Sequence, residues 1–569
     1  MSRVPLFAPR EKLGQTIGDV PDWKPHERPM IPGSPSTPDM PGSERLKYGL
    51  VALLLGLTGS LGTALVSVNL NQIQGELGLT PVQGAWLSSI YIMTNVAMNL
   101  LLVKYRQQFG ISRFVMVFLT IYAGAAVAEL FVTGYPIALL VRAVSGVTGA
   151  AMGALTVFYM LQALPPKYKL QALVLGIGAS QLGMPLARIL SPMLIDLGGW
   201  HGVSALEAGL AVASLAAVLI VRIPPGIRIH TFEWKDIVSF LLFASGFALV
   251  VAVLGLGRLE WWFDRPWLGW ALAAGVALIL IGWTFEHYRE NPLVDTRWFL
   301  TGGYFRFAIA ILFVRMLLSE QPVGSTGLLQ ALGMAPEQVQ HLYVIVAFAT
   351  VAGVLAGAVM LMISPKLVIV QSLGTLILIA IGAWMDAHST VQTAPANLYV
   401  SQALIGFAAA MFMGAAVMLG IGQLVQRGFG SVITFSVTFG VTQVIGGVLG
   451  GAILGTFQIW RAQHHAAYLS EALVGSNPQV ASLLQTYSGA FRSSIADPAG
   501  QSLQGLSTVA QQVTQQANVL AFNDVFWLIF WVAITQLVLT VIFTVRTMLK
   551  MRNAPKSADT PSAAGAAAI

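Results

Sequence analysis

The chain has 569 residues, of which 56% are hydrophobic and 10% are charged, and its formal net charge is +7. A soluble domain carries about a quarter charged residues, so this composition excludes a water-soluble globular protein. Cysteine is absent, which excludes disulfides, thiolate metal sites and cysteine nucleophiles. The positive charge lies in short loops between apolar runs, so no nucleic-acid partner is predicted.

The first 47 residues are polar and rich in proline, as in PDWKPHERPMIPGSPSTPDMPGSE. They contain no apolar core followed by a small-residue cleavage site, which a signal peptide requires. A segment of this composition buries too little apolar surface to order itself. We therefore predict a disordered cytoplasmic tail over residues 1–47.

Apolar runs then follow one another along the chain from residue 48 to about residue 547. A helix needs about 20 apolar residues to cross a bilayer, and about fourteen runs meet this length. Most of the 31 Lys and Arg residues fall in loops on one side, as the positive charge of short cytoplasmic loops predicts. The sequence thus predicts an all-α polytopic membrane protein with about 14 transmembrane helices and both termini cytoplasmic.

The spacing of the runs indicates six spans, a two-span hairpin and six further spans. The one long outer segment, rich in Gln, Ser and Ala, lies between the last two spans and predicts one or two amphipathic helices. The predicted units are the tail at 1–47, a six-helix bundle at 48–222, a two-helix insert with cytoplasmic linkers at 223–304, a second six-helix bundle at 305–548 with the outer segment 459–522, and a cytoplasmic tail at 549–569.

Several local strings occur in a fixed order along the chain. They read ALVSVNLNQIQGELGLTPVQGAWLSSIYIMTNVAMNL in spans one and two, LLVRAVSGVTGAAMGAL in span four, ENPLVDTRWF before span nine, FGVTQVIGGVLGGAILG in span thirteen and QQANVLAFNDVFW before span fourteen. In this order the chain resembles the major facilitator superfamily, specifically the fourteen-span drug:proton antiporters of the EmrB/QacA type. The resemblance covers about residues 50–548. It implies the major facilitator fold, two six-helix bundles plus two extra central helices, in a bacterial inner membrane.

Three places depart from that family. Gly62 stands where the first span of the family usually has an Asp. The loop VKYRQQFGISR between spans two and three keeps Gly110 but has basic residues in place of the family's acid. In span five, Arg188 and Ile189 occupy the positions of the Gly-Pro pair of the antiporter signature. The fold is unaffected, but the family's usual coupling and gating residues are replaced.

Five ionisable residues fall inside the predicted spans: Glu129, Arg142, Arg188, Arg315 and Glu320. A charge inside the membrane is costly, so each is a functional hypothesis. Glu129 and Arg142 lie at similar depth on antiparallel spans and are expected to pair if their faces agree. Burial favours the neutral carboxyl group, so Glu320, the deepest carboxylate, is the first candidate for proton coupling and Glu129 the second. The alternative for Glu320 is neutralisation of a buried arginine, for Glu129 it is exposure near the outer interface, and for Arg188 it is a structural ion pair.

The arginines are candidates for lining a substrate cavity, and for Arg142 the resemblance supports this role through its Arg-x-x-x-Gly signature. Asn69 and Gln443, which lie in the family-like strings of spans one and thirteen, are further cavity candidates. Small residues spaced by four let helices pack closely. Helix packing or gating is predicted for Gly146, Pro185, Gly446 and Gly450.

The function predicted first is proton-coupled efflux of small amphipathic or aromatic compounds. Three interior arginines against two carboxylates favour weakly acidic substrates. Import or flipping of a lipid- or siderophore-like molecule remains an alternative. An ATP-driven pump is excluded because no phosphate-binding loop is present. The histidines form no cluster with acids or serines, so no catalytic residue, metal site or cofactor is predicted.

Partners are predicted from the outer segment 459–522, which is large enough for extensive contacts. The resemblance implies a periplasmic adaptor, or membrane fusion protein, and an outer-membrane channel. Protons, a small-molecule substrate and membrane lipid complete the expected partners.

Overall fold

The computed structural model describes residues 7, 12–18, 20–29, 31–427, 431–471, 473 and 478–553. Within these ranges the chain is helical, apart from loops and an isolated bridge between Thr16 and Ile229. This confirms the predicted all-helical class. The α-helices are α1 (Gly42–Val68), α2 (Leu70–Leu77), α3 (Pro81–Asn99), α4 (Leu102–Phe109), α5 (Ile111–Glu129), α6 (Tyr135–Ala163), α7 (Lys169–Ala179), α8 (Gly183–Ile220), α9 (Trp234–Glu260), α10 (Pro266–His287), α11 (Thr296–Phe299), α12 (Gly302–Leu317), α13 (Thr326–Ala331), α14 (Gln340–Ile363), α15 (Val368–Asp386), α16 (Tyr399–Arg427), α17 (Val432–Glu471), α18 (Pro478–Ala490) and α19 (Pro498–Asn553).

In the described ranges, 12 helical segments are long and apolar enough to cross a membrane. Helices α3 and α4, which are bent by 49° relative to each other, meet the same criteria when taken as one segment. Counting this pair as one span gives up to 13 segments. One of the segments, Pro166–Ile220, has 55 residues, more than twice the length that one span needs. The protein is therefore a multi-pass membrane protein, while the number of fourteen spans stays a prediction.

The long segment reverses direction within α8. As the segment runs on, its contacts move along α1 from Ser60 to Asn69 and then back to Thr58. The contacting residues of the segment are Gly183, Ser191 and Ser214 in turn. The reversal falls at Gly198 and Gly199, whose backbone angles are non-helical. Because it changes direction there, the segment can cross the bilayer twice.

Gly199 shows why this turn needs a glycine. Its φ is +57°, in the left-handed region that side chains rarely adopt, and a Cβ there would lie 2.6 Å from Glu76 Oε1. The Glu76 carboxylate accepts the Trp200 amide N–H at 2.9 and 3.1 Å. A carboxylate at the start of a helix is stabilised by the helix dipole, so α2 caps the returning part of α8.

The helices form two halves that pack side by side. In the amino-terminal half, α1 packs on α6 and α8, and α3 packs on α6. In the carboxy-terminal half, α14 and α15 pack on α16, and α17 packs on α12 and α19. The halves meet where α14 contacts α7 and α8, α16 contacts α7, and α17 contacts α3. The hairpin α9–α10 attaches through α9, which packs against α3 and α17. The domain boundaries given above remain predictions.

Part of the amino-terminal segment predicted to be disordered packs against the bundle. Helix α1 begins at Gly42, and residues 33–37 before it are buried. Ser36 donates its hydroxyl to the Pro225 carbonyl at 2.8 Å, and its own carbonyl accepts the Gln162 amide at 2.9 Å. The polar composition did not reveal this order because the partners are backbone and side-chain groups distant in sequence.

The outer segment 459–522 is helical in three parts. It contains the end of α17, all of α18 and the beginning of α19, whereas residues 472 and 474–477 lie outside the described residues. Helix α18 packs on α19, where Gln512 donates to the Tyr487 hydroxyl at 2.6 Å. Of the predicted carboxy-terminal tail 549–569, residues up to Asn553 continue α19, and residues 554–569 are outside the described part.

Candidate functional site

Two groups of buried carboxyl side chains lie inside the bundle, one in each half. The amino-half cluster consists of Glu129 on α5, Arg142 on α6 and Glu207 on α8, which are 2–3% exposed. Arg142 Nη1 lies 3.7 Å from Glu129 Oε1 and donates to the Gly62 carbonyl at 3.4 Å. Its guanidinium also stacks 4.8 Å from the centre of the Tyr91 ring. The expected pair of Glu129 and Arg142 is therefore formed.

The carboxyl-half pair consists of Glu320, which follows α12, and Asp386, the last residue of α15; they are 0% and 1% exposed. One amide joins them. Gln402 Nε2 donates to Glu320 at 3.0 and 3.2 Å and to Asp386 Oδ2 at 2.7 Å. Among the described residues, no cation lies within ion-pair distance of either carboxyl group. Two ionised carboxylates that share one amide repel each other strongly in a low-dielectric interior, so this arrangement favours a proton on one of them.

The backbone at Glu320 departs from an α-helix. Residues Glu320–Ser325 form a π-helical turn between α12 and α13, and such turns are frequent at functional sites. Pro322 lies in this turn and has no N–H to continue the regular pattern. The Thr326 hydroxyl donates to the Gln321 carbonyl at 2.7 Å. The irregular turn thus leaves the Glu320 side chain directed towards α15 and α16.

A polar depression lies next to Asp386. It has a volume of about 320 Å³ and is lined by Met385, His388, Ser389, Thr390, Gln392, Thr393, Asn397 and Leu398. Met385 lies in α15 and the other lining residues lie between α15 and α16, so they flank Asp386 in sequence. The depression therefore lies close to Asp386 along the chain, at the end of α15.

Arg188 and Arg315 are half-buried and have no carboxylate partner within the described part of the chain. Arg188 stacks 5.2 Å from the centre of the Tyr343 ring, across the contact between the two halves. Arg315 Nε donates to the Gln443 carbonyl at 3.3 Å, and the buried Gln443 side-chain nitrogen has no partner. The structure therefore brings Arg315 and Gln443 together and leaves Arg188 at the interface of the halves.

The remaining cavity candidate, Asn69, is engaged in bonds between helices. Its side-chain nitrogen donates to the Leu65 carbonyl and to Ser191 Oγ, each at 2.8 Å. Pro185 is buried near the start of α8. In the described part of the chain, the side-chain hydrogen bonds of Asn69 go to Leu65 and Ser191 and not to the carboxyl groups of the two sites.

The glycines assigned to packing lie at close helix contacts. A Cβ at Gly446 would lie 2.9 Å from the Leu312 carbonyl, and one at Gly450 would lie 2.7 Å from the Met316 carbonyl. At Gly146 it would collide with the Tyr91 carbonyl and the Thr94 hydroxyl. No side chain fits at these positions unless the helices move apart.

A third group of charges is buried where α4 meets the hairpin. Asp236 Oδ1 accepts Lys104 Nζ at 2.7 Å and Arg289 Nη2 at 2.8 Å. Glu286 accepts Arg289 Nη1 at 2.6 Å and also the Ser239 hydroxyl. Burial lowers the pKa of Arg289, but Glu286 and Asp236 more than reverse this, so the pKa rises above its ordinary value. This network ties the hairpin to the amino-terminal half.

Solved transporters share the arrangement of helices. The human organic anion transporter MFSD10 (TETRAN) aligns with a TM-score of 0.51 at 13% identity, covering 87% of this chain and 100% of that chain. PepTSo2 aligns with a TM-score of 0.50 at 14% identity, covering 89% of this chain and 99% of that chain. Residues 52–321 match the family model of the Major Facilitator Superfamily. No curated protein matches the sequence significantly.

The chain has the major facilitator fold. This fold and the family match indicate a transporter rather than an enzyme. At identities of 13% and 14% the solved structures establish the fold alone, so the drug:proton antiporter family stays a prediction. In this fold the two buried carboxyl sites, and the two arginines without a carboxylate partner among the described residues, are the groups with chemistry that transport can use.

The list of five interior ionisable residues was incomplete. Glu207 and Asp386 also lie inside the bundle, which reverses the expected excess of arginines over carboxylates. The Lys and Arg residues that the sequence places in loops include Lys104 and Arg289, but both are buried. Asp386 ends a span and therefore reads as a loop residue. The apolar run around Glu207 was the available signal, because a single acid in such a run has to be buried or paired.

Proposed function

We propose that this protein is a proton-coupled exporter of small amphipathic aromatic compounds, with both termini cytoplasmic in a bacterial inner membrane. The observation that carries the proposal is the carboxyl-half pair, in which Glu320 and Asp386 share the amide of Gln402 without a cation. The positive charge of the loops on the side of both termini supports the orientation.

Coupling follows from the charge of the pair in its two states. With protons bound the pair is compatible with a dry interior, and after their release it carries negative charge that only a hydrated site tolerates. The π-turn at Glu320 lies between α12 and α13, so a change in helix packing there changes the hydration of the carboxyl group. Proton release and the alternation of the transporter are thereby linked.

Substitution of the pair tests this coupling. We expect Glu320→Gln and Asp386→Asn to abolish uptake driven by a pH gradient in reconstituted vesicles, because a permanently neutral side chain cannot release a proton. Exchange of substrate across the membrane at equal pH should remain. Glu337→Gln is the matched control, since Glu337 is an exposed glutamate. Gradient-driven uptake by Glu320→Gln at the control level would remove this residue from the mechanism.

The substrate class is proposed from the arginines. Arg142 is paired with Glu129, whereas Arg188 and Arg315 are half-buried and have no carboxylate partner in the described residues. An unpaired cation in a partly dry site attracts anions, with an upper bound of about 4 kcal/mol at 4 Å and an effective dielectric of about 20. These two arginines support aromatic anions as substrates. They do so even though the interior holds more carboxyl groups than the two predicted from the sequence.

Competition in a vesicle assay tests the charge preference. Naphthalene sulfonate should be transported better than the cation ethidium. Arg315→Gln should raise the half-saturation concentration for naphthalene sulfonate about tenfold, which corresponds to about 1.4 kcal/mol of binding free energy. Arg492→Gln, at an exposed arginine, is the control. Preferential transport of ethidium would refute an anionic substrate class.

The three helical parts of segment 459–522 are the proposed docking site for a periplasmic adaptor that leads to an outer-membrane channel. Large apolar side chains are exposed there, including Tyr468, Leu503 and Leu506. Exposed apolar residues on one protrusion are typical of protein contact sites.

A further inference from the structure

We propose that Glu129 and Glu207 share one proton and form, with Arg142, a second proton-binding site in the amino-terminal half. This site is separate from the carboxyl-half pair. Its existence does not depend on the proposed export, and only its contribution to transport rests on that function.

The first argument is the placement of the two carboxyl groups. Both groups lie around Gly62: Arg142, the partner of Glu129, donates to the Gly62 carbonyl, and Glu207 Oε1 lies against Gly62. Ionised carboxylates are acceptors only, so a hydrogen bond between two carboxyl groups requires a proton on one of them. This placement allows one carboxylic acid to donate to one carboxylate.

The second argument is the balance of charge. Arg142 is the cation in ion-pair contact with the cluster, 3.7 Å from Glu129. One arginine compensates one carboxylate, so loss of the shared proton would leave an uncompensated negative charge. The other titratable groups that face Glu207 are Tyr91 on α3 and Tyr122 on α5. Both are neutral phenols, so they do not provide the missing positive charge.

The third argument is the space at Gly62. A Cβ at this position would lie 2.8 Å from Glu207 Oε1 and would collide with the Tyr122 hydroxyl. Helix α1 thus contributes no charged side chain at this point, and the Glu207 carboxyl group from α8 occupies the space. Glycine at this position is what allows the second acid to reach Glu129 and Arg142.

The fourth argument is that the site has unused polar atoms and room beside them. Glu129 Oε2, Glu207 Oε2 and Arg142 Nε are buried and have no hydrogen-bond partner. A cavity of about 10 Å³ is lined by Glu129 and Arg142, close to the smallest volume that holds one water molecule. A proton carrier can therefore reach the carboxyl groups when the helices separate slightly.

Infrared difference spectroscopy of the whole protein in lipid vesicles tests the shared proton, because a protonated carboxyl group has its own C=O band that shifts in heavy water. Glu129→Gln and Glu207→Gln should each abolish the same single band, since the remaining carboxylate then pairs with Arg142. The double variant should lose no more intensity of the protonated-carboxyl band than either single variant loses. Arg142→Gln should instead add a second protonated carboxyl group, and Glu337→Gln should change nothing.

Other results would overturn the proposal. If the two single variants remove different bands, or if their effects add, the carboxyl groups bind protons independently. If neither removes a band, the cluster holds no proton. If one of the two glutamine variants does not fold, Arg142→Gln still tests the proposal, because it should add a protonated carboxyl band and no added band would overturn the proposal. The band of the carboxyl-half pair should persist throughout, so failure here is distinguishable from failure of coupling at Glu320.

Discussion

Asp236→Asn should be the most damaging single substitution in the buried network that joins the hairpin to the amino-terminal half. Asp236 is completely buried and accepts from Lys104 Nζ, Arg289 Nη2 and the Glu233 amide at 2.7–2.8 Å. Arg289 keeps Glu286 when Asp236 is neutralised, but Lys104 then has no carboxylate in contact. A buried lysine ammonium is left without its counter-ion.

The expected loss follows from the uncompensated charge. Removing one partner of a buried ion pair costs about 3–5 kcal/mol, or about a hundredfold to a few thousandfold in the ratio of folded to unfolded protein. Lys104→Met should cost less, about 1–3 kcal/mol, because Asp236 keeps Arg289 and the Glu233 amide. Substitutions at the two ends of the same ion pair are therefore predicted to cause unequal losses of stability.

Heating in detergent followed by size-exclusion chromatography measures the effect as a ranking. Asp236→Asn should lower the midpoint most and Lys104→Met less. Glu44→Gln should barely change it, because the exposed pair of Glu44 and Lys47 is worth at most about 1 kcal/mol. Equal midpoints for Asp236→Asn and Glu44→Gln would refute the argument from burial. A larger loss for Lys104→Met would refute the argument from the number of partners.

Three further predictions concern the ends of the bundle. Deletion of residues 1–40 should lower the same midpoint because the buried contacts of residues 33–37 are lost, and an unchanged midpoint would mean that they contribute nothing. Single cysteines in this cysteine-free chain should be labelled from outside at Ser482 and Phe263 and not at Lys167, whereas the reverse pattern would overturn the orientation. A photo-crosslinker at the exposed Leu506 should capture a periplasmic adaptor, and tripartite assembly without segment 459–522 would rule out docking there.

The spans were predictable because membrane crossing depends on a one-dimensional property, the length of an apolar run. The same property hides Asp386, which ends α15 and is buried only because Gln402 on α16 and the turn at Glu320 close over it. It also hides the order around Ser36, whose partners Pro225 and Gln162 are backbone and side-chain groups far along the chain. Contacts between distant helices decide these features.

The pairing of Glu129 with Arg142 was accessible from the sequence because a short turn places them at matching depth on adjacent helices. The addition of Glu207 was not, because α8 turns back at Gly199 before this residue meets α1 and α5. Gly62 was a partial signal that an acid from another helix is present here. The Asp expected at this position of α1 is absent, and Glu207 from α8 fills the space.

Proton movement driven by substrate tests coupling most directly. Vesicles containing the purified protein, loaded with naphthalene sulfonate and a pH-sensitive dye, are diluted into substrate-free buffer. The sulfonate stays ionised and cannot carry protons across the bilayer by itself. Its exit should draw protons inward and acidify the lumen, with no acidification in vesicles that carry Glu320→Gln. No change in pH with the unmodified protein, or alkalinisation during exit, would contradict proton-coupled antiport.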